Sequence, residues 1–282
     1  MRKALDSEAD ALVFDLESAI PRAEAGKARE ICRRVLDDAE AERPALFIRV
    51  SDARSEEQEH DLDAVVCSSL HAVRLPQVID ASDVLATDEA LARAERAAGV
   101  PIGRTLIMPL VESANAVRTA FEIASASPRV AYMGGATSRG GDLARSIGYR
   151  FSKEGRETLY LRSKVLIDMR AAGVANPISG LWGIVDDLDG LQRFAEESRD
   201  LGYEGLMAIH PSHLGIINRV FSPSEAEIAQ WREIITAMEE AEAEGRGAIR
   251  LGGRLIDAAH VHTARQQLAR ASRLGLMGDQ EE

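Results

Sequence analysis

The run Thr105-Leu-Ile-Met-Pro-Leu-Val-Glu112 is apolar and rich in branched residues. It is too short for a buried helix and suits a strand covered on both faces, as in a parallel sheet. Its last residue is a carboxylate. Residues 113–126 follow with Val117, Ala120, Phe121 and Ala124 at a helical period, and Arg129-Val-Ala-Tyr-Met-Gly-Gly135 reads as the next strand. A glycine-rich loop, 134–141, then delivers Asp142. A strand, helix, strand unit with an acid at each strand end places Glu112 and Asp142 at one rim of a parallel sheet, where α/β enzymes build their sites. Two such acids suit a hard divalent cation.

Outward from this unit the same alternation continues. Residues 1–10 read as the tail of a helix, and 11–17 as a strand with Asp15 and Glu17 two apart on one face. Helix is predicted at 23–41, 61–70, 80–98, 153–172 and 187–201, and strand at 45–50, 72–77, 177–184 and 204–210. Arg49 stands at the end of the second strand. Seven strands alternating with helices imply parallel pairing through right-handed crossovers, one strand short of a (β/α)8 TIM barrel. The opening residues already look like a first helix, so the missing element is a strand before Met1. The barrel is expected over residues 1–221, with a C-terminal helical extension over 222–282. That extension holds charged helices at 223–246 and 257–273, joined by a glycine-rich link, 245–253, that suits a hairpin around Gly252-Gly253.

Composition sets the outer bounds. The chain has 282 residues, 45% of them hydrophobic and 4% aromatic, which suits a helix-rich fold with an ample core. Its 34 basic and 46 acidic residues leave a net charge of -12, which argues against general nucleic-acid or anionic-membrane binding and leaves room for a local basic pocket. Cys32 and Cys67 are too few for a disulfide framework or zinc cluster and read as inert core thiols in a reducing compartment. The N-terminal stretch is acidic rather than apolar, and no run approaches the roughly 18 apolar residues of a membrane span. A cytoplasmic location is the expectation.

Each candidate has a plainer competitor. An acid at a strand end also caps a following helix or pairs with an arginine, and Arg49 alone reads as an ion-pair residue. His210, before Pro211, reads as a hydrogen-bonded structural group, and His213, His260 and His262 lack metal-ligand spacing. The loop 134–141 lacks both the Walker lysine pattern and Gly-x-Gly-x-x-Gly.

Taken together, Phe14-Asp-Leu-Glu17, Lys27-Ala-Arg29, Phe47-Ile-Arg-Val50, Arg74-Leu-Pro76, Leu110-Val-Glu-Ser113, Gly141-Asp-Leu143, Asp187-Leu-Asp-Gly190 and Ala208-Ile-His-Pro211 resemble, in order and spacing, the citrate lyase β-subunit family. This is the branch of the HpcH/HpaI aldolase superfamily that acts on CoA thioesters. The resemblance spans nearly the whole chain. It implies a (β/α)8 barrel with a Mg2+ site, acting as a carbon-carbon lyase on a β-hydroxyacyl-CoA such as a malyl, citramalyl or citryl thioester. Glu112 and Asp142 match the metal ligands, and Arg49 matches the arginine that grips the substrate carboxylate or carbonyl oxygen. Glu17 matches the second acid of an Asp-Leu-Glu-Asp run, whose last position here is Ser18. Gly141, Lys27 and Arg29 fall to substrate contact; Arg22, Lys27 and Arg29 either contact CoA phosphates or form an ordinary solvated helix face. Ile184 stands where the family often has Asp, and the loop before Asp142 is longer than usual.

Cleaving such a thioester requires removal of a hydroxyl proton and stabilisation of the departing enolate. Magnesium would act as a Lewis acid and Arg49 as a charged fork, with Glu17 holding a water or relaying a proton. The identity of the base stays open. Other activities on the same scaffold are a 2-keto acid aldolase, an acyl-CoA thioesterase or a non-catalytic subunit. The resemblance also implies a homotrimer or a multiple of it. Ile228, Trp231, Ile234, Ile235 and Met238 form an apolar stripe on the penultimate helix, and Ile256, Ala259, Val261 and Leu268 add more, so a neighbouring subunit is an expected partner for the tail.

Overall fold

A computed structural model of the chain describes residues 2–18, 20–39, 44–135, 137 and 140–277. The predicted helix end at 40–41 and positions 136, 138 and 139 of the glycine-rich loop lie outside the described residues. The chain divides into two compact units, Met1–Ile217 and Asn218–Glu282.

In the first unit the elements run α1 (Arg2–Leu5), β1 (Ala11–Asp15), α2 (Ala25–Asp37), β2 (Ala45–Arg49), α3 (Glu57–Val65), β3 (Leu70–Leu75), α4 (Ala81–Ala98) and β4 (Leu106–Val111). They continue with α5 (Ala114–Arg118), α6 (Ala120–Ser125), β5 (Tyr132–Gly135), α7 (Asp142–Ile147), α8 (Arg156–Ala171), β6 (Asn176–Leu181), α9 (Leu188–Leu201) and β7 (Gly205–Met207). The strands form one seven-stranded sheet in strict chain order, every pair parallel. This is the curled, TIM-barrel-like sheet that the alternation predicts. Among the described residues β1 pairs only with β2 and β7 only with β6, so the two edges do not close on each other.

Several boundaries differ from expectation, each for a local reason. The predicted helix 113–126 breaks at Thr119, whose hydroxyl donates to the Asn115 carbonyl at 2.9 Å and bends the backbone out of the helical region. Phe121 is 45% exposed, because Ile123 and Ala124 supply the buried face. The helix expected at 61–70 starts earlier, where Glu57 and Glu59 favour its first turn, and ends at Val65. Of the strand expected from Arg129, Val130 forms only an isolated bridge to Ile107, and β5 begins at Tyr132, after the Ala131 N–H turns back to the Arg129 carbonyl at 2.9 Å. The short helix α7 was not anticipated.

Caps make the remaining ends sharp. Asp80 accepts from Ser82 N ahead of α4, and Gly99 closes that helix at φ 68°. Gly134 is required by packing: a Cβ there would lie 2.2 Å from the Ile178 carbonyl oxygen on β6. On the inner face of the sheet Phe47, Ala72, Met108 and Leu110 form the core, flanked by Val13, Tyr132, Ile178 and Met207.

The second unit contains α11 (Glu225–Ala243), the antiparallel hairpin β8 (Ala248–Leu251) and β9 (Arg254–Asp257), and α12 (Ala258–Arg273), following α10 (Leu214–Phe221), whose range spans the division. The hairpin turns at Gly252 and Gly253, both at positive φ, as expected. Ile234, Met238, Ile256, Val261 and Ala264 bury one another, with Trp231 and Ile235 packed alongside. Most of the stripe expected to need a neighbour is thus covered within its own unit. Ala259 is exposed rather than part of it.

Candidate active site at the carboxyl rim

Parallel register builds the site. Asp15 pairs with Arg49, Arg49 with Arg74, and Arg74 with Met108, so these four side chains form a row across β1 to β4 on the inner face. Arg49 Nε donates to Asp15 Oδ1 at 2.7 Å and its Nη2 to Asp15 Oδ2. Nη2 also donates to Ser18 Oγ at 2.6 Å, and Nη1 lies 3.6 Å from Glu17 Oε2. The hydrogen bonds it donates to Asp15 are the main reason the Arg49 guanidinium holds its proton more tightly than usual, outweighing its partial burial. Ser18, at the altered end of the acidic run, thus serves Arg49 as an acceptor.

Glu17 and Glu112 meet through Gln77. Its backbone N–H donates to Glu112 Oε2 at 3.1 Å and its side-chain amide to Glu17 Oε1 at 3.1 Å. Gln77 is the one non-glycine residue at positive φ, 52°, among the described residues, a conformation that costs about 1–2 kcal/mol. The clamp is visible: Arg54 Nη2 donates to the Gln77 carbonyl at 3.0 Å, while Arg54 Nη1 grips Asp83 at 2.9 and 3.1 Å. Strain held in this way is concentrated at functional positions.

Arg74 stands beside this group without a hydrogen-bond partner among the described residues. Its Nε is buried and unbonded, and burial together with Arg49 pushes its proton affinity below the ordinary value against the pull of Glu112, Asp15 and Glu17. Asp142 opens α7 and pairs with Arg145 one turn on. The Ala114 N–H donates to Ser146 Oγ at 2.9 Å, which sets α7 against the segment that follows Glu112. Gly141 is the N-cap of α7.

Lys27 and Arg29, two of the predicted CoA contacts, separate. Lys27 is solvent-exposed, 3.7 Å from Glu24. Arg29 is 15% exposed and donates to Asp61 at 2.7 Å and Glu57 at 2.5 Å, while the other Asp61 oxygen takes Ser51 N at 2.8 Å. It braces α2, α3 and the loop after β2, so the solvated-face alternative fails for Arg29. His210 caps the turn at 211–213 through Nδ1, the structural role expected of it.

For a hard cation the donor chemistry of Glu112 and Asp142 fits, since both supply carboxylate oxygen. Among the described residues no three His, Cys, Asp or Glu side chains converge as a metal cluster. Magnesium takes one or two carboxylates and keeps water or substrate as its other ligands. Glu17, Arg49, Glu112 and Asp142 are legible in the sequence as candidate site residues; Gln77 and Arg74 do not stand out there. For Arg74 the signal available is a cation inside the apolar run Leu70–Leu75.

A curled parallel sheet wound in chain order, with carboxylates and guanidiniums at its carboxyl rim, defines a TIM-barrel-like enzyme. The model of the HpcH/HpaI aldolase/citrate lyase family matches residues 1–211, and the chain belongs to that family. It is 34% identical over 278 residues to a (3S)-malyl-CoA thioesterase of Cereibacter sphaeroides, covering 99% of this chain and 92% of the relative. Identity to the citrate lyase subunit beta of Escherichia coli is 31% over 268 residues, covering 95% and 87%. Among solved structures, CitE of Mycobacterium tuberculosis in complex with magnesium, acetoacetate and coenzyme A aligns with TM-score 0.72 at 25% identity, covering 94% of this chain and 90% of that one. A citrate lyase from Burkholderia xenovorans shares the fold with TM-score 0.80 at 19% identity, covering 95% and 85%.

Proposed function

We propose that the chain is a magnesium-dependent carbon-carbon lyase that cleaves or forms a β-hydroxyacyl-CoA such as malyl-, citramalyl- or citryl-CoA. The observation that carries this reading is the rim cluster, in which Gln77 ties Glu17 to Glu112 while Asp15 orients Arg49. Relatives named for malyl-CoA and citrate, and a neighbour solved with magnesium and coenzyme A, support the substrate class. Glu112 and Asp142 would hold the magnesium, which supplies Lewis-acid polarisation of a substrate oxygen when bound. Glu17, fixed by the Gln77 amide, relays the hydroxyl proton. The Arg49 Nη1 edge presents positive charge to the keto acid released. Gly141 lines the substrate at the start of α7, and Lys27 reaches toward the CoA phosphates.

Catalysis is assigned to residues 1–221, with 222–282 as a helical extension. The assembly is a cytoplasmic homotrimer or a multiple of it. Among the described residues no helix is long and apolar enough to cross a membrane.

A second reading is favoured by the 34% identical thioesterase: hydrolysis of the same thioester with the carbon skeleton intact. One assay separates them. With magnesium and (3S)-malyl-CoA, a lyase releases acetyl-CoA and glyoxylate, whereas a thioesterase releases malate and free CoA. No product from malyl-, citramalyl- or citryl-CoA would sink both readings.

A further inference from the structure

Arg74 is a half-buried cation whose Nε is shielded from solvent and meets no acceptor among the described residues. In the register of the sheet it sits between Arg49 on β2 and Met108 on β4. The first is a second cation and the second is apolar, so neither neighbour in the row accepts a hydrogen bond from it. Arg49 is different. Asp15 takes its Nε and Nη2, and Ser18 takes Nη2 again, so its bidentate edge is already filled by a carboxylate of the chain. Arg74 forms no hydrogen bond or ion pair with any described residue, and its Nε is shielded from solvent. An unpaired guanidinium beside another guanidinium is unfavourable in a partly desolvated place, and such groups persist where they are used.

We propose that Arg74, rather than Arg49 alone, is the residue that grips a substrate carboxylate inside the rim. The inference rests on the reading of the rim as the substrate-binding end and adds a specificity determinant to it. Arg49, locked by Asp15, supplies fixed positive charge from the side. Arg74 supplies the free planar fork that a carboxylate fills with two parallel hydrogen bonds. Its position one strand further along makes the second arginine a selector for acids whose carboxylate reaches past Arg49 toward β4. Lysine cannot reproduce this, because an ammonium offers no fork.

The test is calorimetric titration of malonate into the full chain in metal-free buffer, with inorganic phosphate as a parallel arm. Arg74→Met is expected to raise the malonate dissociation constant by roughly tenfold to a hundredfold, the loss of one charge-assisted pair. Arg74→Lys, which keeps the charge and the stem, is expected to fold in any case and to lose less. Without any anion, Arg74→Met is expected to melt at the same temperature as the parent or higher, since an unpaired, partly desolvated charge has been removed. Equal malonate constants in the parent and both variants would overturn the proposal, as would no malonate binding by the parent. Tighter Arg74-dependent binding of phosphate than of malonate would overturn the carboxylate assignment. No metal or thioester enters this measurement. A chain that turns over no CoA thioester but shows Arg74-dependent malonate binding loses the proposed activity and keeps the subsite. Turnover with a malonate constant indifferent to Arg74 does the reverse.

Discussion

Gln77 places two carboxylates through a single strained backbone conformation, which makes its substitution informative. In Gln77→Gly the positive φ is relieved, by about 1–2 kcal/mol, while the amide bond to Glu17 is lost. The expected outcome is an unchanged or higher melting temperature together with a turnover number lower by roughly tenfold, the worth of one hydrogen bond. Thermal melts and steady-state kinetics on one preparation decide it; a parallel fall in both would make Gln77 a scaffold residue. For the metal, Glu112→Gln and Asp142→Asn are expected to abolish magnesium-dependent stabilisation and activity with the fold intact, and calorimetry showing unchanged magnesium affinity in both would refute the ligand assignment. Burial pushes the Cys32 thiol up to about 11, so it is expected to stay unmodified by a thiol reagent at pH 8 until the chain unfolds. Acids and an arginine at strand ends were legible in the sequence because a strand end has a known place in a parallel fold. Gln77 was not, because its conformation is held by Arg54, 23 residues away in the chain and itself anchored by Asp83.

Between elements, α4 is tied to the segment before β5 by Glu95 and Arg129. Arg129 Nη1 and Nη2 donate to Glu95 at 2.9 and 2.7 Å, and the N–H groups of Gly103 and Thr105 donate to the same carboxylate. Burial raises the proton affinity of Glu95, but Arg129 and the two backbone donors outweigh it and hold the carboxyl below its ordinary range. A depressed folded value stabilises the fold above the unfolded value of about 4.3 and loses that contribution as pH falls through the folded value. Glu95→Gln is therefore expected to destabilise by about 3 kcal/mol at neutral pH and to flatten the acid limb of the stability curve. Urea melts across pH 3–7 provide the check. Gly134→Ala is expected to cost about 1–3 kcal/mol by forcing β5 away from β6. Element order and type followed from hydrophobic period, whereas the break at Thr119 and the late start of β5 did not. Those two depend on a side-chain hydrogen bond and on a tight backbone turn from Ala131 N–H to the Arg129 carbonyl, which no periodicity encodes.

For the whole molecule, the apolar stripe of α11 is largely covered by the hairpin and α12. The case for assembly therefore rests on the resemblance and on the open edges of β1 and β7. Light scattering is expected to give about three times the 30.6 kDa chain mass, or a multiple of that; a monomer at micromolar concentration would remove the proposal. The alternation of strands was legible from end to end, while edge closure was not, because it depends on pairing that no local pattern reports. The strict β1-to-β7 order also governs how the sheet is made and unmade. No pairing waits for a distant segment, so each strand can dock on its predecessor as it leaves the ribosome, at about 5–20 residues per second. Opening runs the other way: the three-residue β7 frays first, and native-state amide exchange is expected to be fastest there and slowest across β2 to β4.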